Sequence, residues 1–129
     1  MTYKLFDYID ASGKNPFKEW TEGLQKRDRA KLNQKLDSLE KHGEGLYPYL
    51  LTGSPVAGIQ KLRVRGNVEL RPMLCHGPIA HDTEFTLLCG ATEVGGELEP
   101  ANAPNKADER KAEVGADPEN RRKDHERVS

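Results

Sequence analysis

One segment near the middle of the chain alternates basic and apolar side chains, and this pattern constrains its structure more than any other feature. The basic residues at every second position are Lys61, Arg63 and Arg65, and the residues between them are Leu62 and Val64. Successive side chains of an extended strand point to opposite faces of a sheet. The alternation therefore predicts a strand that buries one face and presents positive charge on the other.

A second alternating stretch follows after two turn-forming residues, Gly66 and Asn67. In the first stretch the apolar residues occupy even-numbered positions. The second stretch continues this pattern with Val68, Leu70 and Leu74. Two such stretches predict a β-hairpin, with Gly66 at the positive φ of a primed turn. Arg71 lies in the second strand, so we expect it to add a fourth cation to the same basic face.

Charge is unevenly distributed along the chain although the total is close to zero. The net charge of the 129 residues is −1, which excludes a global basic field of the kind that attracts nucleic acids. Residues 59–76 nevertheless carry four Lys and Arg against one Glu, whereas residues 77–99 carry five acidic residues and no Lys or Arg. The sequence thus predicts a local patch that attracts an anion beside an edge that repels one.

The cysteine content and the N-terminal sequence exclude several classes of protein. The two cysteines, Cys75 and Cys89, have neither the spacing of a zinc site nor the number of a disulfide scaffold. We expect free, buried thiols, no metal and no cofactor. The first residues lack the apolar core of a signal peptide, and no run approaches the ~18 apolar residues of a membrane span. These features predict a cytoplasmic protein with no membrane partner.

The remaining segments predict one domain at residues 1–99 followed by a charged extension at residues 100–129. A first strand is expected at residues 3–8, and Asn15–Pro16 supplies an N-cap and a proline for a first helix. A second helix is expected over residues 27–42, and a connector rich in Gly and Pro leads from it to the hairpin. Because the last 30 residues contain 14 charged ones, the extension is expected to be a solvated helix or a disordered tail.

The order of these segments, together with three short motifs, resembles the RelE/HigB-like toxins, in particular their phage-derived HigB-like branch. The motifs are Gly58–Arg63, a following strand with Leu70–Arg71, and a strand with Leu87–Leu88. The resemblance covers about residues 3–95. It implies an α+β fold in which two N-terminal helices pack on a small twisted antiparallel sheet, followed by the charged C-terminal helix or tail.

The resemblance also implies a function. The toxins of this family belong to type II toxin–antitoxin systems, enter the ribosomal A site and cleave mRNA there with the RNA 2′-hydroxyl as nucleophile. This chain would then be a metal-independent endoribonuclease (an mRNA interferase) that inhibits translation. Its partners would be mRNA on the ribosome and a cognate antitoxin, typically a helix-turn-helix protein. Arg63 and Arg71 match arginine positions of the family, whereas Lys61 is predicted from this sequence alone.

His76 follows the second hairpin strand and is the candidate for proton transfer, with His81 in the loop beyond it. A histidine exchanges protons near neutral pH, so beside a cationic surface it can act as general base on a 2′-hydroxyl or as general acid on the leaving oxygen. The predicted catalytic residues are Arg63, Arg71 and His76. The predicted RNA-binding residues are Lys61, Arg63, Arg65 and Arg71.

The sequence departs from the family in one place and leaves two other functions open. After the Leu87–Leu88 strand, relatives commonly have lysines, whereas this chain has Gly90–Val94 with an acidic residue, Glu93. This departure favours a non-catalytic, phage-derived interaction protein with a toxin-like fold. The other alternative is inhibition of DNA gyrase, as in the ParE-type toxins of the same superfamily.

Overall fold

The fold is built on a mixed sheet that carries helices on both faces. The computed structural model describes residues 2–129. Its strands are β1 (Lys4–Tyr8), β2 (Leu51–Gly53), β3 (Gln60–Leu62), β4 (Glu69–Leu70), β5 (Met73–His76), β6 (Glu84–Cys89), β7 (Thr92–Val94), β8 (Glu97–Glu99) and β9 (Arg122–Asp124). Its helices are α1 (Pro16–Glu22), α2 (Lys26–His42), α3 (Ala103–Ala116) and α4 (Pro118–Arg121). Within the described residues the large sheet has the order β2-β3-β5-β6-β1-β9, and β4, β7 and β8 form a second sheet.

The predicted fold class is wrong. The helices are not N-terminal, because β1 precedes them, and residues 2–129 form four helices and a second sheet of three strands. The large sheet is mixed rather than antiparallel, since β1 pairs with β6 in parallel from Lys4 opposite Glu84 to Asp7 opposite Leu87. Parallel neighbours need a long crossover connection. Residues 9–83, which separate β1 from β6, form this crossover. The alternation of side chains within a short strand does not reveal whether the strand pairs in parallel or antiparallel.

The helices α1 and α2 pack on one face of the large sheet, and α1 begins as its sequence predicts. The Asn15 side chain accepts a hydrogen bond of 3.0 Å from the Lys18 N–H, and Pro16 occupies the first helical turn. This cap satisfies one of the N–H groups that a helix start leaves unpaired. The buried apolar residues of this core are Leu5, Phe17, Leu32, Leu36, Leu39, Leu51, Leu62, Val64, Leu70, Leu74, Phe85 and Leu87. Each such side chain stabilises the fold by ~1.5–3 kcal/mol relative to an exposed one.

The predicted hairpin forms between β3 and β5, but its turn is wider than predicted. The last pairing toward the turn is a bridge between Val64 and Leu70, so the loop between them comprises residues 65–69. Gly66 does not adopt a positive φ, and the two-residue primed turn is therefore wrong. Val68, which was expected to continue the buried set, is exposed in this loop. At the end of this loop β4 pairs with β7 in the second sheet, while its Leu70 keeps the bridge to Val64.

The helix α3 packs on the opposite face of the large sheet, against β5 and β6. Its buried side chains are small, namely Ala103, Pro104, Ala107 and Val114. Small side chains allow the helix to approach the strands closely, and they meet a core that contains Met73 and Leu88. The centre of the face that the sequence predicted to be open and basic is consequently covered. The same core holds Cys75 and Cys89, which are free and buried as expected.

The end of the described chain returns to the sheet. The strand β9 pairs antiparallel with β1, with Phe6 opposite Asp124. Arg127 Nη1 lies 2.8 Å from Asp37 Oδ2 on α2, and the Asn33 side chain donates a hydrogen bond of 2.8 Å to the carbonyl oxygen of Val128. The C-terminal segment is thus attached to α2 by a specific ion pair and a hydrogen bond. The number of charged residues in the segment does not predict these contacts.

Candidate functional site

Arg71 does not lie on an exposed basic face, and that placement was predicted wrongly. The residue is 6% exposed. Its Nη2 lies 3.2 Å from Glu69 Oε2 and 3.2 Å from Glu93 Oε2, and its Nη1 donates to the Leu70 carbonyl oxygen at 2.9 Å. Glu93 is the acidic residue noted above after the Leu87–Leu88 strand. Together with Glu69 it neutralises the charge of Arg71 where the arginine is buried.

The other three predicted cations are accessible. Lys61 and Arg63 are half-buried, and Arg65 is exposed. The register on either side of Arg63, with Lys61 opposite Met73 and a bridge from Val64 to Leu70, places Arg63 opposite Arg71 across the strand pair. The structure therefore brings Arg63 and Arg71 side by side. Only the first of the two is open to solvent.

His76, the predicted proton-transfer residue, lies at the end of β5 beside a carboxylate that the sequence did not single out. Its Nε2 lies 2.8 Å from Glu44 Oε2, and its Nδ1 lies 3.1 Å from the carbonyl oxygen of His81. A carbonyl oxygen only accepts hydrogen bonds, so the contact with His81 places a proton on Nδ1, and Nε2 shares a proton with the Glu44 carboxyl group.

Glu44 is positioned by a tight turn at the end of α2. It lies in a 3-10 turn, Gly43–Leu46, that directly follows α2. Gly43 has a φ of +52°, and a β-carbon there would collide with the Tyr3 ring, so glycine is required twice over. The second carboxylate oxygen, Oε1, accepts a hydrogen bond of 3.2 Å from Gln60 Nε2 on β3. Two elements thus hold the carboxylate toward His76.

The His76 ring is held by two other rings. Its centroid lies 4.6 Å from that of Phe85 on β6 and 6.1 Å from that of His81, with which it is stacked. The side chain of His76 is 28% exposed and that of Glu44 is 46% exposed. The pair is therefore ordered and still reachable by a ligand, as a general acid–base pair requires.

Two open cavities flank the His76 ring. The first has a volume of about 390 Å³ and is lined by Tyr47, Gly53, Gly58 and Gln60 as well as by Glu44 and His76; we call it the Tyr47 groove. The second has a volume of about 260 Å³ and lies between the loop after β5 and helix α3, where His81, Asp108 and Lys111 line it. His76 is common to both, so a ligand that spans the two cavities must cross its ring.

A cation from α3 lies between the two cavities. Gly58 has a φ of +83°, and a β-carbon at this position would lie 2.5 Å from Nζ of Lys111. The ammonium group of Lys111 therefore sits over the backbone of the Tyr47 groove while its side chain lines the second cavity. The site as a whole combines a carboxylate, a histidine and a cation, which is a set suited to transfer at a phosphate.

Sequence reasoning identified His76 and missed Glu44 and Lys111. The connector that contains Glu44 is rich in Gly and Pro, and the flanking Gly43 and Gly45 were its only signal. Lys111 lies in the charged segment from residue 100 onward, where one lysine among many basic and acidic residues has no distinguishing pattern. Both residues join the site through tertiary contacts alone.

No family model, curated protein or solved structure matches this chain. Among residues 2–129, three or more His, Cys, Asp or Glu do not come together in a group that would hold a metal ion. Over the same residues, none of the helices has both the length and the apolar character needed to cross a bilayer. The geometry of the site and the pattern of the sequence are therefore the grounds for proposing a function.

Proposed function

We propose that the protein is a metal-independent endoribonuclease in which Glu44 and His76 transfer the protons. The observation that carries this proposal is the hydrogen bond of 2.8 Å between Glu44 Oε2 and His76 Nε2 at the junction of two open cavities. RNA cleavage by its own 2′-hydroxyl needs a base for that hydroxyl, an acid for the leaving oxygen and positive charge at the phosphate. Glu44, His76 and Lys111 supply these three functions.

The proposed proton transfers use the direct contact between Glu44 and His76. The Glu44 carboxylate accepts the 2′-hydroxyl proton while the 2′-oxygen attacks phosphorus. The His76 imidazolium donates its Nε2 proton to the 5′-oxygen as the P–O5′ bond breaks, which leaves a 2′,3′-cyclic phosphate and a 5′-hydroxyl. For this to occur the phosphate must enter between the two side chains, so their hydrogen bond opens when RNA binds.

The cellular role that we propose is that of a toxin of a type II toxin–antitoxin system, which cleaves mRNA on the ribosome in the cytoplasm. The resemblance in motif order supports this role, and so does the accessibility of Lys61, Arg63 and Arg65, because such side chains pair with the phosphates of an RNA strand. The antitoxin, a protein of the helix-turn-helix class, would cover this region. A catalytic role for Arg71 would require its two ion pairs to open.

Expression in a bacterial host without a partner tests the proposal. We expect growth arrest, slowed translation and new mRNA 5′ ends, and we expect His76→Ala to abolish all three. The matched control is His42→Ala, because His42 is exposed at the end of α2 and outside the site. A wild-type chain that leaves growth, translation and mRNA intact would show that the proposal is wrong.

One observation favours a second function, a non-catalytic interaction protein. Arg71 is held inside the protein by Glu69 and Glu93, so one of the two arginines that resemble catalytic positions contacts carboxylates instead of substrate. In this case the chain would form a stable complex with its partner, and mRNA would stay intact after expression. Pull-down combined with mRNA end mapping separates the two functions.

A further inference from the structure

We infer that the Tyr47 groove binds single-stranded RNA by stacking a nucleobase on the Tyr47 ring. This inference deepens the proposed function and rests on it, since it names the substrate form that the site takes. Tyr47 is 52% exposed and lines the same cavity as Glu44 and His76. Base–aromatic stacking accepts any base because each presents a π-face. The ring therefore offers a platform beside the proton-transfer pair.

The shape of the groove suits a flat ligand. Gly53 and Gly58 contribute only backbone to its wall, and a β-carbon at Gly53 would meet no other atom within 4 Å. The volume of the Tyr47 groove, about 390 Å³, lies in the range of small-ligand sites, roughly 300–1,000 Å³. A ligand that enters the groove therefore meets bare backbone at Gly53 and the Lys111 ammonium group over Gly58.

The ammonium group of Lys111 lies between the Tyr47 groove and the second cavity. Lys111 lies over Gly58 and lines the second cavity together with His81. A strand that crosses the His76 ring would thus place one base in the Tyr47 groove, its phosphate at His76 and the following nucleotide toward Lys111. Bases of a duplex are already stacked on their neighbours, so this arrangement selects a single strand.

The groove wall also holds an unpaired acceptor. Gln60 Oε1 is buried and has no hydrogen-bond partner among the described residues, whereas its Nε2 donates to Glu44. An unpaired buried polar atom is rare and costs free energy. This oxygen has almost no accessible surface, so a bound nucleotide would pair with it only after the Gln60 side chain turns.

Binding of a non-cleavable probe tests the inference separately from catalysis. The probe is a fluorescein-labelled, fully 2′-O-methylated single strand of ten nucleotides, followed by fluorescence anisotropy at fixed salt. We expect Tyr47→Ala to weaken binding about 5- to 160-fold, the range for the loss of one base–aromatic stack. Tyr47→Trp should retain binding. The matched control is Tyr49→Ala, because Tyr49 is 79% exposed and does not line the groove.

A second variant blocks the groove instead of removing the platform. Gly53→Leu adds a side chain where the structure has open space, so we expect weaker binding with an unchanged midpoint of thermal unfolding. Duplex RNA of the same sequence should bind several-fold more weakly than the single strand. Wild-type affinity in both Tyr47→Ala and Gly53→Leu, or an equal loss in Tyr49→Ala, would overturn the inference.

The outcomes distinguish the groove from the chemistry. Tyr47-dependent binding without any RNA cleavage would support the groove and contradict the proposed catalysis. Cleavage that persists while Tyr47→Ala binds the probe like the wild type would support the catalysis and contradict the groove.

Discussion

Arg122 Nη1 lies 2.8 Å from Glu84 Oε1, and both side chains are only 9% exposed. This ion pair attaches β9 to an inner strand of the large sheet, β6. The Arg122 guanidinium also lies 3.7 Å from the centroid of the Phe6 ring, so its flat face is packed as well as paired. A residue from the charged C-terminal segment is in this way part of the folded structure.

Removing this arginine should destabilise the protein. We expect Arg122→Met to lower the free energy of unfolding by about 3 kcal/mol, because it leaves the Glu84 carboxylate buried without its cation. The matched control is Lys123→Met, whose ammonium is half-exposed and 4.0 Å from Glu126, and whose effect should stay within about 0.5 kcal/mol. Urea denaturation measures both. Equal effects of the two variants would contradict the structural role of Arg122.

The pH dependence of stability should report on Glu84. Burial raises the pKa of Glu84, but the Ala80 N–H and the Arg122 guanidinium outweigh burial and hold the pKa below its ordinary value. The ionised form is favoured by folding, so its contribution is complete above the ordinary glutamate pKa of about 4.3 and is lost as pH falls through the folded value. Urea denaturation between about pH 6 and pH 3 should show a steeper loss of stability for the wild type than for Glu84→Gln. Parallel curves would contradict this.

Arg71→Ala should weaken folding. Its two carboxylate partners, Glu69 and Glu93, lose their shared cation, and we expect the free energy of unfolding to fall by about 2–3 kcal/mol. Arg65→Ala is the matched control, because Arg65 is exposed in the hairpin loop and should change stability little. Chemical denaturation of both variants decides the point. An Arg71→Ala protein that is fully stable but inactive would instead assign this arginine to the phosphate.

The two cysteines should be unreactive in the folded protein. Burial raises the pKa of Cys75 and of Cys89 to about 11 in each case, so very little thiolate is present at pH 8. We expect neither to react with Ellman's reagent in the native state and both to react in urea, with glutathione as the reactive control. Rapid reaction of either thiol without denaturant would mean that α3 leaves the face of the sheet.

Local sequence signals predicted the local structure well. The Asn15 cap and Pro16 start α1, and α2 ends at His42 with Lys41 and His42 in its last turn, as expected. The fold class was wrong because the partner of a strand depends on residues distant in sequence. Nothing within Lys4–Tyr8 indicates that β1 pairs in parallel with β6.

The same limit applies to the candidate site. His76 was found because it follows a predicted strand, whereas Glu44 comes 32 positions earlier in a connector with no regular pattern. The alternation of Lys61, Arg63 and Arg65 with apolar residues correctly separated buried from solvent-facing positions. It could not show that α3 covers the neighbouring strands or that Glu93 would neutralise Arg71.

Cleavage of ribosome-bound mRNA by the purified protein tests the Glu44–His76 pair most directly. We expect products that end in a 2′,3′-cyclic phosphate, and a rate that falls at least about 100-fold in Glu44→Gln while the midpoint of thermal unfolding is unchanged. An equal rate in Glu44→Gln, or a wild-type protein that leaves the mRNA whole, would contradict the assignment of these two residues as base and acid.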